Sequence, residues 1–101
     1  MFTKNDLKYQ HYYNWNTDNP YQNELPSLQD HYIRFNGYHT LALINIFAHK
    51  HHLHSIEDCH KLEDAIGVCP TKYHLYEEII YWLELDFSIM NNSYLMGKLS
   101  W

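Results

Sequence analysis

The segment from Ser55 to Pro70 limits the fold most, because it carries a helix's start and stop signals together. Ser55 and Asp58 form the S-x-x-D capping pattern, in which the serine oxygen receives an amide of the first turn. Ile56, Cys59, Leu62, Ala65 and Ile66 then recur at helical spacing, and Gly67 and Pro70 close the run. Glu57 and Asp58 sit in the first turn, where a negative charge favours the helix dipole. The signals predict a helix over 56–66.

The neighbouring segments repeat that logic. Leu41, Leu43, Ile44, Phe47 and Ala48 form an apolar stripe after Asn36-Gly37, which predicts a helix over 38–53. Tyr76, Ile79, Ile80, Leu83 and Phe87 form another after Pro70-Thr71, with Thr71 as its cap, which predicts a helix over 72–87. Thr3 with Asp6, and Ser27 with Asp30, repeat the capping pattern and point to short helices over 4–14 and 28–35. A further short helix over 91–98 fits the tail. The stretch around Pro20 and Pro26 reads as a loop. The expectation is therefore an all-α chain, one domain over residues 1–101, built as a small bundle of four to five short helices.

Composition narrows function by exclusion. A net charge of −5, with seven lysines and arginines scattered along the chain, offers no basic patch for phosphates. A helix-turn-helix outline exists around Leu53-His54-Ser55, but the would-be recognition helix carries Glu57, Asp58, Glu63 and Asp64 against Lys61. Phosphates would be repelled, so direct nucleic-acid binding is not expected. No apolar h-region or membrane-length apolar run is present, and the expected place is the cytoplasm, with Cys59 and Cys69 reduced.

Five of the nine histidines lie in "AHKHHLHSIEDCH". At about 100° per residue, taking His49 as zero, His51, His52 and His54 fall at about 200°, 300° and 140°. They share no face. If a metal bound here, His49 and His52, one turn apart, with His60 from the next helix would be its ligands. No C-x-x-C or H-E-x-x-H accompanies them. The plainer reading is a histidine-rich helix end, favourable because imidazolium offsets the dipole, and open to a metal- or pH-responsive role. No cofactor is expected.

Arg34 and His39 form R-x₄-H, which resembles the catalytic motif of HEPN-type ribonucleases, small helical dimers. The resemblance implies that the two side chains meet over a scissile phosphate, with the histidine aiding proton transfer. It covers six residues, and Gly37 inside it weakens the helix that would carry it.

Ten tyrosines, four phenylalanines and three tryptophans exceed what so small an interior can hold, and such rings are favoured interface anchors. Small acidic, aromatic-rich domains of this type resemble bacterial and phage inhibitors: toxin-immunity, anti-CRISPR and anti-restriction proteins. The resemblance implies a non-enzymatic module that covers a basic surface on another protein, such as a nuclease. The expected contacts are Trp15 and Tyr21 in the loop and Glu77, Glu78, Tyr81 and Glu84 on an acidic helix face, with self-association as a further expectation.

Overall fold

The computed structural model describes residues 1–21 and 24–91. Three α-helices carry the fold: α1 (Gly37–His51), α2 (Ile56–Gly67) and α3 (Tyr76–Asn91). Two single-turn 3-10 helices, Lys4–Asp6 and Gln10–Tyr12, precede them. Among the described residues there is no strand, only two isolated bridges, Asn14 with Asn36 and His31 with Leu75. No described helix is long and apolar enough to cross a membrane.

The core lies where the three stripes meet. Leu43, Ile44 and Phe47 of α1 face Cys59 and Leu62 of α2 and Tyr76, Ile79 and Leu83 of α3, each at most 1% exposed. Burying one such aliphatic or aromatic side chain contributes about 1.5–3 kcal/mol. Phe2 and Leu7 join the same core from the N-terminal segment. Asn45 fixes that segment: its Oδ1 accepts from Phe2 N at 2.8 Å and its Nδ2 donates to Phe2 O at 3.0 Å.

Both inner helix starts behave as their sequences require. Asn36 Oδ1 accepts from the amides of Tyr38 and His39, and Ser55 Oγ accepts from Asp58 N at 3.0 Å. The left-handed residue at a helix end is His52, with φ 56°, rather than Gly67, which is the last residue of α2.

Among the described residues the four-to-five-helix expectation is corrected to three α-helices and two 3-10 turns. Residues 4–14 form two 3-10 turns, because the Thr3–Asp6 capping box closes on one turn and no apolar stripe extends it. Residues 28–35 are not helical. Asp30 Oδ2 accepts from Ser27 N inside a turn, and the chain then lies along the start of α3. Tyr32 N donates to His74 O, Tyr76 N to Asp30 O and Glu77 N to Leu28 O. The third helix opens at Tyr76 rather than 72, because Glu78 Oε1 and not Thr71 takes the preceding amides, those of His74 and Leu75, both at 3.0 Å. α3 runs on through Asn91 rather than ending at 87, and residues 92–98 of the helix expected over 91–98, with the side chain of Phe87, lie outside the described residues.

Candidate functional site

The last turn of α2, the N-terminal turns and the segment 32–35 enclose a cleft of about 620 Å³. Each wall is tied by an identifiable bond. Glu63, on the core side of α2 and 2% exposed, holds the N-terminal wall. Its Oε1 accepts from Lys8 N at 2.7 Å, and its Oε2 from Tyr9 N at 2.9 Å and the Tyr13 hydroxyl at 2.6 Å. A buried carboxylate is tolerated only when so supplied with donors. Burial, then the hydrogen bond to Glu63 and the charge of that carboxylate, pushes the Tyr13 hydroxyl far above its ordinary range.

Arg34 ties the second wall to the end of α2. Its Nη2 donates to Cys69 O at 2.6 Å and Pro70 O at 2.9 Å. Tyr32 forms the buried edge. Thr40 Oγ1 gives its proton to Asn36 O, so the Tyr32 hydroxyl donates to Thr40 Oγ1 at 2.9 Å. Phe35 follows with φ 64°, in the left-handed region, fixed by Asn14 N donating to Phe35 O at 2.7 Å. That backbone costs about 1–2 kcal/mol for a residue with a Cβ.

The strain presents a ring rather than hiding it. Phe35 is 71% exposed, Val68 is 72% and Tyr12 is 78%, and all three stand on this cleft. Asp64 lies on the same lining and pairs with Lys8 at 3.3 Å. Its carboxyl is held below the usual range, first by Tyr9 and then by Lys8. A second, smaller cavity of about 290 Å³ opens between Phe2, Asn45, Ala48, His49, Leu53 and His54.

The residues singled out in the sequence are dispersed, and most have fold tasks. Trp15 is half-buried: its Nε1 donates to Gln10 O at 2.7 Å and its ring meets Tyr38 edge-on at 5.1 Å. Its indole also covers Gly37, where any Cβ would overlap it. Tyr21 packs edge-on against His39 at 5.2 Å and near Tyr76 at 6.2 Å. Glu78 caps α3 as described, and those amides hold its carboxyl below the usual range. Glu84 bridges α1 and α3 by accepting from Lys50 Nζ at 2.7 Å and meeting His51 Nε2 at 3.0 Å. Lys50 first, then His51, lowers its carboxyl against a smaller effect of burial. Of the six expected contacts, only Glu77 and the 64%-exposed Tyr81 stand exposed.

Arg34 and His39 are each committed elsewhere. His39 is 7% exposed, and its Nδ1 accepts from Ile33 N at 3.3 Å and contacts the Tyr76 hydroxyl at 3.1 Å. An accepting Nδ1 places the proton of the neutral ring on Nε2. Burial lowers the His39 pKa and so favours that neutral ring. His49 is exposed on α1 and His52 is exposed just after its end, while the His60 ring nitrogen binds Asp6 O at 2.9 Å. Among the described residues no three His, Cys, Asp or Glu side chains come together as a metal site. Cys59 is fully buried, its thiol pushed up to about 12 by desolvation, which leaves it inert as a nucleophile at neutral pH.

Sequence reasoning missed Glu63 and Phe35. Glu63 enters the sequence argument only as one of four acids that would repel phosphates, yet it sits about 40° from Cys59 on the wheel, beside the apolar stripe. Phe35 carries no local signal, since its left-handed backbone is imposed by the Asn14 contact. No family model, curated protein or solved structure matches the chain.

Proposed function

We propose that this chain is a non-enzymatic protein-binding module that inhibits its partner by covering a basic surface, as nuclease inhibitors of the immunity, anti-CRISPR or anti-restriction kind do. The observation that carries the reading is the grouping of Tyr12, Phe35 and Val68, three strongly exposed apolar side chains, around one cleft. Exposed apolar side chains grouped around a concavity mark interaction sites, whereas scattered ones need no explanation. The net charge of −5 suits a basic partner and speeds the encounter. The contact surface is centred on the cleft, and Glu77 with Tyr81 on α3 is the competing surface.

Affinity capture from a lysate of the encoding organism tests this with three proteins. Wild type is expected to retain one protein at fixed stoichiometry, without RNA. The exposed double variant Tyr12→Ala/Phe35→Ala should lose it, while Glu77→Lys/Tyr81→Ala should keep it. Loss only in the second variant would move the interface to α3. Recovery of RNA, or of no protein, would contradict the inhibitor reading.

A further inference from the structure

Five aromatic rings line the cleft, those of Tyr9, Tyr12, Tyr13, Tyr32 and Phe35, and the carboxylates of Glu63 and Asp64 lie on the same lining. Aromatic faces carry negative electrostatic potential and attract cations, most strongly where water is excluded. Among the described residues no cationic side chain forms an ion pair with Glu63, whose donors are two amides and a phenol. The end of α2, at Ile66, Gly67 and Val68, adds the negative pole of a helix dipole to the same wall. One cation lines the cleft, Arg34, but its guanidinium is bound to the carbonyls of Cys69 and Pro70.

The chain already holds one cation in this manner at the same wall. Lys8 Nζ lies 5.1 Å from the Tyr9 ring centre and 3.3 Å from Asp64 Oδ2, a ring and a carboxylate sharing one ammonium. Tyr12 and Phe35 offer exposed rings without such a contact among the described residues.

We infer that the cleft receives a protruding lysine or arginine side chain of the protein partner, its cationic head against the rings of Tyr12 and Phe35 and its charge facing Asp64 and Glu63. The inference rests on the cleft being the binding surface proposed above. A volume of about 620 Å³ falls within the usual range of ligand pockets, about 300–1,000 Å³, and leaves room for the residues flanking the basic side chain. A nucleic-acid occupant is disfavoured, because its phosphates would meet the two carboxylates.

The test titrates the full chain, labelled with nitrogen-15, with N-acetyl-arginine amide, N-acetyl-lysine amide and the neutral N-acetyl-norleucine amide. At least one cationic probe is expected to shift the amides of Tyr12, Phe35, Asp64 and Val68 saturably, and to bind about fivefold tighter than norleucine, the worth of one exposed cation–π contact. Asp64→Asn should weaken that probe, and Tyr12→Ala/Phe35→Ala should abolish its effect. Norleucine binding as tightly as both cations, or no probe shifting the cleft, overturns the inference. If either occurs while capture of a protein still depends on Tyr12 and Phe35, the binding module stands and its occupant is apolar. Failure of capture itself removes the module instead.

Discussion

The Tyr13 hydroxyl donates to Glu63 Oε2 at 2.6 Å, and this bond joins the N-terminal segment to a carboxylate buried in α2. Glu63→Ala would strand three donors at once, the amides of Lys8 and Tyr9 and this phenol. Hydrogen bonds to charged acceptors contribute about 1.5–3 kcal/mol each but do not add fully, so a loss of about 3 kcal/mol is expected in urea unfolding. Tyr13→Phe should cost about half that. A loss under about 0.5 kcal/mol for Glu63→Ala, the range of plain surface changes, would contradict the anchoring role.

Trp15 over Gly37 yields a second expectation. Gly37→Ala should gain helix propensity of about 1 kcal/mol, yet the new methyl meets the indole face. Overpacking costs about 1–3 kcal/mol, so net destabilisation is expected. A double-mutant cycle checks the cause: in a Trp15→Leu background the same change should be neutral or stabilising.

Phe35 should trade stability for binding. Phe35→Gly relieves a left-handed backbone, and the midpoint of urea unfolding should rise by an amount corresponding to about 1 kcal/mol or less. The same protein should capture its partner less well. A variant that is both less stable and fully competent in capture would show that the ring serves the fold instead.

The fold should lose stability at both ends of the pH scale. Burial lowers the His39 pKa below 6.5, so the unfolded chain takes the proton first. Stability from this residue is complete above about 6.5 and falls as pH drops through the folded value. Comparing wild type with His39→Gln between about pH 7 and 5 isolates it from the other histidines: the variant is less stable at pH 7, and its curve is flatter. At the alkaline end Tyr13, Tyr32 and Tyr76 are raised above 10, chiefly by burial. Their contribution is present below 10 and is lost as pH rises through the folded values. Absorbance near 295 nm should show these three phenols protonated until the fold opens; full ionisation of all ten tyrosines in a still-folded chain would contradict that.

What could be read from the sequence was what is decided locally. Ser55 caps α2 because its partner amide is three residues away, and the stripes of α1 and α2 need only the helical period. The same S/T-x-x-D pattern at Thr3 and Ser27 gave turns, because without a following stripe nothing repays the entropy of further helical residues. Segment 28–32 is shaped by hydrogen bonds to residues some 45 positions away, such as that of Tyr32 N to His74 O, which no local window contains. The site followed the same division. Glu63 stood beside an apolar stripe and could have been found there, and the Glu78 cap, with its partner amides three and four residues back, is equally local, whereas the exposure of Phe35 and the tie of Glu84 to Lys50 and His51 depend on long-range packing.

A photo-crosslinking amino acid placed at Phe35, with Lys61 on the outer face of α2 as the control position, tests the interface in the encoding cell. Irradiation should join position 35 to one protein, in a band absent at position 61 and suppressed by Tyr12→Ala. Equal crosslinking at both positions, or a band at position 61 alone, would contradict a partner seated on this cleft.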